Sequence, residues 1–143
     1  MNKRNIAVLA ALVVGVGAAM VWERGGPSST DTGDATRRGA VVNVIIPDTF
    51  SEAALMGESA FNAVCAACHG ANAAGSEAGP PLVHRIYEPS HHGDYAFEMA
   101  VNNGVRAHHW KFGNMPPQPG LTKADVNTII AYVRELQRAN GID

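Results

Sequence analysis

The stretch CAACHGANAAG, residues 65–75, holds both cysteines of the 143-residue chain, two residues apart and followed at once by His69. Cysteine pairs at this spacing serve several chemistries, and the flanking sequence separates them. A dithiol of the thioredoxin type follows a strand and opens a helix, whereas here a helical apolar period runs up to Cys65 and a loop-rich stretch, GANAAGSEAGPPL, comes after His69. A structural zinc site requires four ligands, and two thiols with one neighbouring imidazole leave the tetrahedron incomplete.

Histidine in the fifth position completes a different set. In C-x-x-C-H the thiols of Cys65 and Cys68 add across the two vinyl groups of one haem to give thioether bonds, and His69 is placed under the iron as an axial ligand. One helical turn of backbone sets all three contacts to a single macrocycle. Composition agrees with a cofactor of this size: 46% apolar residues exclude a wholly disordered chain, yet aromatics make up only 6%, thin for a core filled by side chains alone. The net charge of −2 offers no basic surface for nucleic acid. From Val41 onward ten acidic residues stand against six basic ones, an excess that either keeps the surface soluble or steers the domain toward a basic patch on a partner.

Outward from the motif the chain divides into three. Residues 1–22 begin with Lys3 and Arg4 and continue as an uncharged run of 17 residues from Ile6 to Trp22. That run exceeds the roughly 7 to 15 residues of a signal-peptide core and meets the lower limit, about 17, of a spanning helix. Cleavage sites near Ala18 and Ala19 are imperfect and Trp22 suits a membrane interface, so the segment reads as an uncleaved signal-anchor, with a cleaved signal peptide as the alternative. Lys3 and Arg4 hold its start in the cytoplasm and place the rest on the periplasmic side of a bacterial inner membrane. Residues 23–47 read as a flexible linker, rich in Gly, Ser, Thr and Asp to Ala40 and ending in the extended piece VVNVIIPD, which Pro47 stops. Residues 48–143 form the folded domain. Ser51 caps a first helix whose face is Ala53, Gly57, Phe61 and Val64; Asp94 to Asn102 is a short helix closed by Gly104; Thr122 with Asp125 caps a last helix striped by Val126, Ile129, Ile130, Val133 and Leu136.

From about residue 48 to 138 this pattern resembles the monohaem class I c-type cytochromes of the cytochrome c family. The resemblance implies an all-α fold, a small helical domain wrapped around one covalent haem c with its first and last helices crossing, and assigns Gly57, Phe61 and Tyr132 to that crossing. It also implies roles outside the pentapeptide. GPPL, residues 79–82, matches the family's Gly-Pro-x-Leu, in which the Pro80 carbonyl accepts the second ring N–H of His69 and Leu82 packs on the haem face. NMPP matches the methionine ligand loop, making Met115 the sixth iron ligand in preference to Met56 and Met99, and Trp110 is placed like an indole that bonds a haem propionate. With His69 and Met115 filling both axial positions no site is left for substrate, so the implied function is a single-electron carrier and not an enzyme. Its partners would be redox proteins such as a respiratory complex, an oxidase or a periplasmic dehydrogenase, with the membrane met through the anchor.

Five histidines after His69 lie outside the family pattern. His84 reads as a loop residue, and the others form two pairs, His91 with His92 and His108 with His109. Neighbouring side chains diverge on a strand or a helix, so a single pair is not expected to give two ligands to one metal, although one member of each pair can meet at an ion. Polar loop residues around the haem edge, a surface copper or zinc site, a docking surface for a copper-containing partner, or a rival to Met115 are the readings left open. The competing functions are a haem enzyme or gas sensor with a displaceable methionine, and a metal-binding or docking module built on the histidine pairs.

Overall fold

The computed structural model describes residues 39–143, so the expected anchor and the linker up to residue 38 lie outside the described residues. These residues form helices α1 (Glu52–Val64), α2 (Ala66–His69), α3 (Asp94–Asn103) and α4 (Lys123–Ala139), with short 3-10 turns at Ala71–Ala73 and Arg85–Tyr87 and no strand among them. The fold is all-α, as the sequence implies. No described helix is long and apolar enough to cross a membrane.

The first and last helices carry the architecture. Ser51 Oγ accepts from Ala54 N at 3.1 Å to start α1, and the Ser51 N–H donates to Glu135 Oε2 on α4 at 3.0 Å. The buried face of α1 is Ala54, Gly57 and Phe61; Ala53 is exposed and Val64 is 37% exposed, so the buried face starts one position later than expected and does not reach the last residue of the helix. At Gly57 the two backbones come so close that a Cβ would lie 1.9 Å from the Thr128 carbonyl oxygen. This approach lets Tyr132 lodge between Phe50 and Phe61, with ring centroids 5.3 and 5.5 Å away. Phe61, Tyr132, Val133 and Leu136 are wholly buried, each apolar side chain contributing about 1.5–3 kcal/mol relative to exposure. All five residues of the predicted α4 stripe are buried. The capping box forms too, with Asp125 Oδ2 accepting from Thr122 N at 2.8 Å and Asp125 N donating to Thr122 Oγ1 at 3.2 Å.

Two parts of the chain are tied in more firmly than their composition suggests. The extended piece is pinned at both ends: Val41 N and Val42 N donate to Ala74 O at 3.0 Å, while Ile45 exchanges two 2.8 Å bonds with the Asn140 side-chain amide. Residues 41–45, near the end of the segment read as linker, therefore belong to the folded domain. The second is Arg134, buried to 7% exposure inside the apolar stripe. Its guanidinium donates to Asp94 Oδ1 (2.8 Å), Tyr87 O (2.7 Å), Gln137 Oε1 (2.6 Å) and His92 O (2.5 Å) and lies over the Phe97 ring. Asp94 is largely exposed, so the ion pair itself is weak. The bonds to buried carbonyls do most to bind the 85–93 loop and α3 to α4.

Replacing Gly57 with alanine should force α1 off α4 and destabilise the holoprotein by about 3 kcal/mol, read as a lower denaturant midpoint; an unchanged midpoint would mean the close approach is not needed. The Thr122 side chain and backbone hold the Asp125 carboxyl below the usual carboxylate range. A depressed folded pKa gives stability that is present above the unfolded pKa and lost as pH falls through the folded value. Relative to Asp125→Asn, the wild type should therefore lose extra thermal stability below about pH 4.

Candidate haem site

The motif sits where α1 hands over to a tight loop. Cys65 N still donates to Phe61 O at 2.7 Å, and Cys68 N and His69 N donate to Cys65 O at 3.1 and 2.9 Å, so the pentapeptide is one continuing turn of helix. Gly70 stops it with φ 72°, and a Cβ there would lie 2.2 Å from the Gly75 carbonyl oxygen. The chain then doubles back, with Asn72 and Ala73 in the left-handed region at a cost of about 1–3 kcal/mol each. Surrounding bonds hold that conformation. Gly75 N donates to His69 O at 2.7 Å, Leu82 N to Ala73 O at 2.9 Å, and Tyr132 Oη to Asn72 Oδ1 at 3.2 Å.

The returning strand of chain lies against the motif. Ser76 Oγ donates to Cys68 O at 2.6 Å, and His69 Nδ1–H donates to the Pro80 carbonyl at 2.8 Å. This bond fixes the tautomer and leaves Nε2 with its lone pair, the arrangement usual for a metal-ligating imidazole. Burial pushes the His69 pKa down, partly offset by Pro80, so the ring is neutral near pH 7. Cys65 is half-buried and Cys68 exposed, both as free thiols. Burial, followed by repulsion from Cys68, raises the Cys65 thiol to about 11. Disulfide oxidoreductases need the opposite, a thiolate at neutral pH, which the surroundings of Cys65 disfavour.

The remaining predicted residues come from two loops. Leu82 is half-buried beside the main core, and its carbonyl accepts from Gln137 Nε2 at 2.8 Å. Met115 is half-buried, its backbone paired in both directions with Val105 at 2.9 Å, which closes the loop from Arg106 to Asn114. Met56 and Met99 are 54% and 40% exposed. Trp110 packs edge-on against His84 at 5.1 Å, and His84, beyond a simple loop role, accepts from Ile86 N through Nδ1. The indole N–H of Trp110 is buried without a hydrogen-bond partner. Tyr87 is near enough for the indole to offset part of the rise that burial gives its phenol, yet the two do not meet hydrogen-bond geometry. A buried donor left unpaired costs about 1–3 kcal/mol.

These residues fit a haem: two free thiols a helical turn apart, a neutral imidazole with one nitrogen already bonded, and a buried N–H lacking an acceptor. A polar groove of about 390 Å³ lined by Asp94, Glu98, Arg134 and Arg138 contains none of them. Asn72, Ser76 and Gln137 support the site without having been singled out in the sequence. For Gln137 a signal existed, since Ile130, Arg134 and Gln137 continue one row of the α4 stripe at helical spacing.

A family model described as Cytochrome c matches residues 54–137, more than half of the chain, and the chain belongs to the cytochrome c family. No curated protein and no solved structure matches it significantly. Membership implies a covalently attached haem c and haem-based electron transfer, the usual work of the family.

Proposed function

We propose that this chain is a single-electron carrier that holds one haem c through thioethers at Cys65 and Cys68 and ligates its iron with His69 and Met115. The hydrogen bond from His69 Nδ1 to Pro80 O carries this reading, because it prepares the other nitrogen as a ligand before any metal is considered. Met115 is favoured over the other methionines by its doubly bonded backbone in a proline-bounded loop. Trp110 holds the unsatisfied donor that a propionate would accept, and Leu82 offers a half-buried apolar side chain from the segment that carries Pro80. When bound, the haem supplies one reversible electron, and a thioether ligand raises its potential relative to two imidazoles. The protein's part is to keep both ligands neutral and fixed, so that little coordination changes when charge does. Lys3 and Arg4 ahead of the uncharged run from Ile6 to Trp22 support a setting on the periplasmic side of a membrane, between redox proteins, with an N-terminal anchor as tether or, after cleavage, free in the periplasm.

Two measurements test it. Treatment of the denatured wild type with acidified organic solvent should leave the haem on the polypeptide, and the Cys65→Ala/Cys68→Ala double variant should release it completely. The reduced wild type should show almost no spectral response to carbon monoxide, whereas reduced Met115→Ala should convert fully to the carbon monoxide complex. A wild type that takes up carbon monoxide readily would overturn the carrier assignment in favour of a sensor or enzyme with a displaceable arm.

A further inference from the structure

The two histidine pairs, far from scattering around the domain, meet. His91 and His92 lie in a turn in which both backbone N–H groups donate to Glu88 O, at 3.0 and 2.8 Å. The rule that neighbours diverge belongs to regular strands and helices and does not apply to this turn. Their ring centroids are 4.5 Å apart, and His109, from the loop between Val105 and Met115, stands 5.2 Å from each. One nitrogen from each of His91, His92 and His109 falls within 4.8 Å of the others. Tetrahedral bonds of about 2.0–2.1 Å place ligand nitrogens roughly 3.4 Å apart, a closure within reach of small rotations of the two exposed rings.

Three further features mark the cluster as built for a cation. His92 Nδ1–H donates to Ile86 O at 2.6 Å, which orients the ring and leaves Nε2 as a free donor to metal, the same device seen at His69. The turn behind it is clamped from the core, since Arg134 bonds the His92 and Tyr87 carbonyls. Third, the rings crowd one another without a carboxylate among them: His108, held by Nδ1–H to Arg106 O, flanks His109 with centroids 4.2 Å apart. Imidazoles whose donor nitrogens converge in this way are relieved of their crowding by a shared metal ion.

We propose that His91, His92 and His109 form a surface site for a divalent transition metal, open at a fourth position and taking Cu(II) in preference to Zn(II). The all-imidazole donor set, with neither thiolate nor carboxylate, excludes the hard cations calcium and magnesium. Among first-row ions the intrinsic order puts copper above zinc, and nothing in this exposed turn imposes a geometry that would reverse it. The site shares no residue with the thioether and axial positions, so it stands or falls independently of the haem ligation proposed above.

The test uses untagged full-length holoprotein, stripped with a chelator and titrated with copper sulfate and then zinc chloride in a non-coordinating buffer. Calorimetry should show one equivalent of Cu(II), and electron paramagnetic resonance should show a tetragonal copper signal with nitrogen hyperfine structure. Zinc should compete for the same equivalent more weakly. His109→Ala and His91→Ala each remove an exposed ligand and should weaken copper binding at least about tenfold, the lower end of what even an outer-shell change costs a metal site, while the haem spectrum stays unchanged to show that the fold persists. Undiminished copper binding in the His91→Ala/His109→Ala double variant would overturn the proposal. So would a copper signal that lacks nitrogen coupling in the wild type.

Discussion

The close approach of α1 and α4 at Gly57 is the constraint from which the other contacts descend. Without a side chain at that position the α1 backbone rests against the Thr128 carbonyl, and only at that separation do Phe61 and Phe50 close on Tyr132. The tyrosine then reaches out of the core with its hydroxyl, which meets Asn72 in the loop that follows the haem motif. Helix packing thereby supports a left-handed segment that would be unfavourable alone, and that segment returns Pro80 to His69. Each step uses a hydrogen bond or a ring contact of ordinary strength; what makes them a site is that they share one rigid origin.

A common building method runs through both histidine sites of the molecule. At His69 and at His92 a backbone carbonyl accepts a hydrogen bond from Nδ1–H, so the nitrogen left free, Nε2, is selected by main chain and not by another titratable group. Main-chain acceptors do not titrate, and the orientation of each ring is independent of neighbouring carboxylates. The two regions differ in what holds the carbonyl. Pro80 is held by the compact loop folded onto Cys68, whereas the turn bearing His91 and His92 is held from inside the domain by a buried guanidinium.

What the sequence disclosed was what local chemistry controls. The pentapeptide, the Ser51 and Thr122 caps, the α4 stripe and the Gly104 stop each depend on residues within a few positions of one another, and all are present. At the start of the first helix the buried alanine is Ala54 and not Ala53, a difference hydropathy cannot show because it lies only in which of the two meets α4. Arg134 was invisible as a core residue because a charged side chain reads as solvent-facing until its partners are known, and those partners are carbonyls 42 and 47 residues away. The meeting of the histidine pairs was hidden for the same reason. It requires the 85–93 loop to be drawn onto α4 and the 106–114 loop to be closed by the Val105–Met115 pairing, and neither is a property of HH as a dipeptide.

The double clasp between Ile45 and the Asn140 amide has a mechanical meaning. Together with the bonds from Val41 and Val42 to Ala74, it turns residues 41–45 into a bracket bolted across the domain near the far end of α4. The chain from Val41 to Pro47 therefore moves with the domain and does not swivel at Pro47. A pull on residues 41–45 is borne by the last helix through Asn140 and by the loop after the motif through Ala74, so these residues leave the domain only when those bonds break.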